Sequence, residues 1–131
     1  MSYSTKEEVR EMLKDDALNA IIGDTFIEDP AEREELVEPL IEAAIADADA
    51  EIDGYLAKRY TVPISPAPRV LNKFSKDIAV YNLFSRIGID ESTDQKTYLN
   101  RYNAAIKFLT LVAEGLSLIH ISEPTRHSLI S

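Results

Sequence analysis

Cysteine and tryptophan are both missing from this chain of 131 residues, and histidine occurs only twice. The absence of cysteine excludes disulfides, a thiolate zinc site and a cysteine nucleophile. No apolar run approaches the roughly 20 residues that span a bilayer, so no membrane partner is expected. The opening Met-Ser-Tyr-Ser-Thr-Lys-Glu-Glu is polar and acidic, unlike a secretory signal. Excess positive charge is lacking too: 14 Lys and Arg stand against 23 Asp and Glu, a net charge of −9. A broad surface that grips nucleic acid needs the reverse balance, because Lys and Arg must displace counterions from phosphates. What is present is a hydrophobic share of 45%, which suits one folded globular domain with a core of its own.

The last sixteen residues, Leu116 to Ser131, stand apart. Leu116 to Arg126 resembles a translated transposon-type DNA-sequencing adapter. In this frame the mosaic end reads Leu-Ser-Leu-Ile-His-Ile, and the constant segment after it reads Ser-Glu-Pro-Thr-Arg. His127, Ser128 and Leu129 then fall on the variable index, and Ile130 and Ser131 on the bases that follow. The competing reading is a short C-terminal strand over Leu118 to Ile121, which rests on propensity alone. We therefore expect residues 1–115 to form the domain and 116–131 to be a non-native tail, set aside from fold reasoning like a fusion scar. Both histidines, His120 and His127, lie in that tail. Without them residues 1–115 have no serine–histidine, cysteine–histidine or histidine–metal chemistry.

Helix signals fill the rest. Ser4-Thr5-Lys6-Glu7 has the form of a capping box and predicts a short helix through about Leu13, with Val9, Met12 and Leu13 inward. A short turn is expected over about Ala17 to Ile22, ended by Gly23, and then a loop to Asp29. Asp29-Pro30-Ala31-Glu32 is a second start, with Asp as cap and Pro in the first helical position. Pro39 predicts either a short helix followed by a long one, or one kinked helix, reaching about Arg59. Its stripe is Leu40, Ile41, Ala44, Ile45, Ala48, Ile52, Tyr55 and Leu56. Pro63, Pro66 and Pro68 force an extended segment over Thr61–Pro68. A helix from about Arg69 to Ile87 follows, carrying Val70, Leu71, Phe74, Ile78, Tyr81 and Phe84. The last, about Thr93 to Glu114, carries Tyr98, Leu99, Tyr102, Ala105, Ile106, Leu109 and Val112 and ends at Gly115. The fold class is all-α: a small bundle of about four to five helices, with an extended proline-rich arm between the long central helix and the next.

Charge divides along the chain. Residues 1–57 carry 17 acids and 4 bases, and residues 58–115 carry 5 acids and 9 bases. Either basic helices pack beside acidic ones within one molecule, or faces of opposite sign meet between neighbouring subunits.

Two acidic patterns invite chemistry. Asp49, Glu51, Asp53 and Gly54 fall at positions 1, 3, 5 and 6 of an EF-hand loop, but position 12, where a bidentate Glu is needed, is Tyr60. The helical stripe also runs straight through the segment. Asp47 with Glu51, and Asp49 with Asp53, are i, i+4 carboxylate pairs. Solvated helix faces account for them, and nothing in the sequence marks the cleft that a carboxylate catalyst needs. No catalytic, metal-binding or cofactor-binding residue is expected, and no enzyme activity. The segment that invites a partner is the arm. Its plain reading is a surface strap over the helices; its functional reading is an arm laid on a neighbouring subunit. The candidate interface residues are Arg59, Tyr60, Val62, Pro63, Ile64 and Pro66.

The run Ala46-Asp47-Ala48-Asp49-Ala50-Glu51-Ile52-Asp53-Gly54-Tyr55-Leu56-Ala57-Lys58-Arg59-Tyr60, with Val62-Pro63-Ile64 and Pro68 after it, resembles the central signature of a Mu-like phage family associated with the head–tail connector. Lys76 to Tyr81, Arg101 to Leu109, and the opening Tyr3-Ser4-Thr5 before an acidic helix are similar to its other parts. The resemblance implies a small helical virion protein that forms a ring of its own copies between the portal and the tail or neck proteins. It further implies a place in the virion, and in the host cytoplasm during assembly. DNA would pass through the channel without sequence-specific binding, helped by an acidic surface that phosphates avoid. The alternative function is a small helical adaptor or regulatory domain that binds a single protein partner.

Overall fold

The computed structural model describes residues 2–13, 18, 29–85 and 95–115. Four helices are present among them and no strand: α1 (Lys6–Arg10), α2 (Pro30–Leu56), α3 (Arg69–Ser85) and α4 (Gln95–Ala113). The all-α expectation is met. The short turn expected over Ala17–Ile22 lies outside the described residues except for Leu18, which is helical and buried. The tail from Leu116 onward, and the expected start of the last helix at Thr93 and Asp94, also lie outside them.

Local chemistry sets each helix start. The capping box of α1 is real but one residue later than expected. Thr5 is the N-cap: its side chain accepts from the Glu8 amide, and the Glu8 carboxylate accepts from the Thr5 amide. Both registers fit the S/T-x-x-E pattern, and burial decides between them. Ser4 is buried against Ser75, with the two Oγ atoms 2.7 Å apart, so it is not available to cap. Asp29 caps α2 as expected, accepting from the Ala31 amide at 3.0 Å, with Pro30 in the first turn. Pro39 does not divide α2. Its side chain is exposed and the helix runs unbroken over 27 residues to Leu56, three residues short of the expected end. At the other end of the bundle Gly115 has φ +128°, the left-handed region that glycine enters without steric cost, and it terminates α4 as expected.

Pairings across the helices give the topology. Three aromatic contacts join α3 to α4: Phe74 with Phe108 (centroids 4.9 Å apart), Tyr81 with Tyr102 (3.9 Å, stacked) and Phe84 with Tyr98 (4.5 Å, stacked). As one number rises the other falls, so the two helices are antiparallel. Asn82 donates to the Ala44 carbonyl while Ser75 and Asn72, a few turns earlier, meet the N-terminal segment seated on Asp49. Thus α2 and α3 are antiparallel as well. Tyr102 reaches Glu51, and Arg59 reaches Ala113, so α2 and α4 run the same way. The result is an up-down-up bundle with α1 lying antiparallel on α2.

The core explains the central place of α3. Leu71, Ile78, Ala79 and Leu83 are fully buried, and Val80 and Phe84 nearly so, a wider face than the single stripe expected from periodicity. A helix held between two others buries more than one stripe. On α2 the buried set is Val37, Ile41, Ala44, Ile45, Ala48, Ile52 and Leu56. Each fully buried Val, Leu or Ile side chain among them stabilises by about 1.5–3 kcal/mol.

Candidate functional site

The acidic signature on α2 is a helix, not a metal loop. Residues 47–56 lie within continuous α2, and among the described residues no group of three or more His, Cys, Asp or Glu is placed to hold a metal ion. What the signature does is accept hydrogen bonds from two tyrosines. The Tyr3 amide donates to Asp49 Oδ1 at 3.0 Å, and Tyr3 Oη donates to Asp53 Oδ1 at 2.6 Å. The i, i+4 spacing that looked like a repulsive pair sets two acceptors one turn apart on one face, and a single residue of the N-terminal segment bridges them. Glu51 faces another way and accepts from Tyr102 Oη at 2.9 Å, tying α2 to α4.

Tyr3 also reaches the proline-rich strap. Its Oη accepts from the Ile64 amide at 3.0 Å, and its carbonyl accepts from Asn72 Nδ2 at 3.0 Å. The same Asn72 nitrogen donates to Glu8 at 3.1 Å. One buried tyrosine therefore joins four elements: the N-terminal segment, α2, the strap and α3. Burial, with Asp53 accepting its proton second, pushes the Tyr3 phenol up to about 12. Burial and then Glu51 push the Tyr102 phenol up to about 12 as well. Glu8 is held below the usual carboxylate range, first by the Thr5 amide and then by Asn72.

The strap lies on its own subunit along alternate residues. Tyr60, Val62 and Ile64 are half-buried and pack against the core, whereas Thr61, Pro63, Ser65, Pro66 and Ala67 are exposed. The six residues singled out for an interface are thus sorted. Pro63 and Pro66 face outward; Tyr60, Val62 and Ile64 show one side each. Arg59 is exposed and donates through Nε to the Ala113 carbonyl at 3.3 Å. Its cation serves the C-terminal end of α4 rather than of its own helix, where a positive charge meets unsatisfied carbonyls.

Tyr3, Asn72 and the Ser4–Ser75 pair are the polar residues that sequence reasoning missed as a group. The available signal was a tyrosine immediately before a cap, close to an acidic signature, but no periodicity joins residue 3 to residues 53 and 64.

Ion pairs lie elsewhere. Lys6 Nζ is 2.7 Å from Glu38, and Arg10 Nη1 donates to Glu34 at 2.7 Å, lining the shallow cleft between α1 and α2. On α3 the buried Asp77 pairs with Lys73 one turn before it, at 2.9 Å. Among the described residues, no ion pair joins a base of residues 58–115 to an acid of residues 1–57. No helix among them is long and apolar enough to cross a membrane.

The chain is thus an acidic helical bundle whose most specific polar motif ties its own elements together. Comparison with known proteins gives its origin: the chain is similar to phage and prophage proteins. The family described as Bacteriophage Mu, Gp36 matches residues 3–128, and the chain belongs to that family. It is 32% identical over 92 residues to the Mu-like prophage FluMu protein gp36 of Haemophilus influenzae, a match covering 70% of this chain and 61% of that protein. It is 32% identical over 74 residues to Gene product J of Escherichia phage Mu, covering 56% of this chain and 48% of that protein. The chain therefore spans between about half and three fifths of the length of these curated relatives.

Proposed function

We propose that this chain is a structural virion protein of a tailed phage or prophage, a head–tail connector that assembles as a ring between portal and tail. Membership of the Mu Gp36 family carries the reading. The strap supports it: Tyr3 fixes its base through Ile64, so Pro63 and Pro66 are held outward at little further cost in chain entropy. Arg59, Tyr60, Val62, Pro63, Ile64 and Pro66 form the contact with the neighbouring subunit, mainly through the two exposed prolines. The other partners are the portal and the tail or neck proteins, in the virion and, during assembly, in the host cytoplasm. The acidic surface lets DNA pass without sticking, because carboxylates repel phosphates. The decisive experiment is electron microscopy of the full chain mixed with the portal of the same phage. A ring seated on the portal is expected. A one-to-one complex with a single partner, or an isolated monomer that ignores the portal, overturns the reading.

The division at Gly115 belongs to the same proposal. Residues 116–131 read as adapter sequence; against this stands the family match, which continues to residue 128. Sequencing the gene from an amplicon prepared without transposon adapters decides between them.

A further inference from the structure

Among the described residues two outer helix faces are left without a partner, and they are complementary. Helix α2 carries nine acids and one base, whereas α4 carries three bases and no acid. The α4 bases Lys96, Arg101 and Lys107 are all exposed, and none of them pairs with the α2 acids of its own subunit among the described residues. On α2 the exposed acids Glu35, Glu42 and Asp47 recur at a similar rise. The two large hydrophobic side chains most exposed among the described residues divide the same way: Leu36, 46% exposed, on α2, and Leu111, 44% exposed, on α4.

From this we infer that the outer face of α4 docks on the outer face of α2 in the next copy of this chain. The inference rests on the ring reading and names the surfaces through which the ring closes, beside the strap contact. Within one subunit α2 and α4 run the same way. A small rotation between neighbours keeps helix directions nearly unchanged, so the docked pair is parallel. One parallel register then brings opposite charges together on both flanks of the seam. Arg101 stands by Glu42 and Lys107 by Asp47, one pair on each flank of the seam, because their offsets of 59 and 60 residues agree to within one residue. In that register Ala104 meets Ala43, and Leu111 lies over Ala50 near Gly54, whose missing Cβ faces open space. Two different faces meet, so the contact is heterologous: it propagates from copy to copy and closes as a ring. Charge chooses the partner face and the register, and the two leucines supply the apolar area.

The absence of cysteine makes the test clean. Full-length Ala43→Cys and Ala104→Cys chains, one of them mass-tagged, are mixed and mildly oxidised. The expected product is the mixed disulfide between the two variants, and the double variant forms a ladder of multimers. Asp47→Lys or Lys107→Asp alone abolishes the ladder, and combining them restores it; circular dichroism confirms that each exposed substitution leaves the helices intact. Disulfides between like variants only, or no disulfide above the reduced control, overturn the docking. Portal microscopy of the same chains separates the two claims. A ring on the portal with no mixed disulfide leaves the connector reading standing and ends the α2–α4 docking. A mixed ladder that never seats on the portal does the reverse.

Discussion

The two halves of α2 are equally acidic to the eye and differ in what their acids do. In the first half, Glu34, Glu38 and Glu42 meet Arg10 and Lys6 across a solvated cleft. The side chains of Lys6 and Glu38 are 41% and 45% exposed. In the second half, Asp49 and Asp53 take both hydrogens of a buried tyrosine, and Glu51 takes that of Tyr102. The first arrangement tolerates drift, because two long side chains in water gain about 0–1 kcal/mol by pairing. The second does not, because a buried donor or acceptor that loses its partner costs about 1–3 kcal/mol. Acidity alone therefore says little about this helix; the environment of each carboxylate decides its worth.

The largest expected effect is one in which the halves agree. Ile41 lies beneath the first half and Ile52 beneath the second, both buried. Ile41→Ala and Ile52→Ala should each cost about 2–5 kcal/mol, as truncations that leave a cavity do. Urea unfolding of the full chain measures both. A large inequality would mean that the halves differ in core packing and not only in their polar layer.

The halves part at the next level. Tyr3→Phe removes one hydroxyl and leaves Asp53 and the Ile64 amide without their shared partner, a loss of about 1–3 kcal/mol. Lys6→Ala should cost much less by the same measurement, because an ion pair in water loses little when one partner is removed. Equal values would abolish the distinction between a buried node and a surface pair. The Tyr3 change should also raise hydrogen exchange at Ile64, since the strap loses the bond that seats it.

This contrast marks how far the sequence could be read. The helices were legible because apolar spacing reports a local period: Ile41, Ala44, Ala48 and Ile52 fall on one face whatever lies beside it. Asp29 and Gly115 announced α2's start and α4's end by chemistry that also acts locally. The Tyr3 node was not legible. Its contacts span 46 to 69 positions, and a lone tyrosine near the start of a chain carries no periodic signal. The one-residue slip in the α1 cap has the same origin: Ser4 and Thr5 are equivalent until Ser75, 71 positions away, claims Ser4. The breadth of the α3 core was missed because the sequence does not say that a helix is the middle one of three.

Alkali gives a third test with a defined sign. In the fold the Tyr3 and Tyr102 phenols lose their protons only near pH 12, against 10 for an ordinary tyrosine. Between these values the unfolded chain is deprotonated first, so the stability these groups contribute is complete below pH 10 and drains away as pH rises toward about 12. Thermal unfolding from pH 9 to 11 should show this decline, and Tyr3→Phe should flatten part of it. A wild-type slope identical to that of the variant would mean that Tyr3 is not held in its protonated form by burial and by Asp53.

The smallest effect separates the halves by salt. Lys6 and Glu38 face water, so raising the salt from about 0.15 M to about 1 M shortens the Debye length from about 8 Å to about 3 Å and should erase their coupling in a double-mutant cycle. The Lys6 ammonium sits above its ordinary pKa chiefly because it donates to Glu38, and Glu38 sits below its own for the same reason. A cycle on Tyr3 and Asp53 should keep its value across the same range, because the donor is a neutral hydroxyl at 2.6 Å and the contact is part-buried. The two cycles need no assumption about assembly, since both pairs lie within one subunit. If both couplings fall together with salt, the second half of α2 is also a solvated surface, and the hydrogen-bonded base beneath the strap is no firmer than the ion pairs at the other end of the helix.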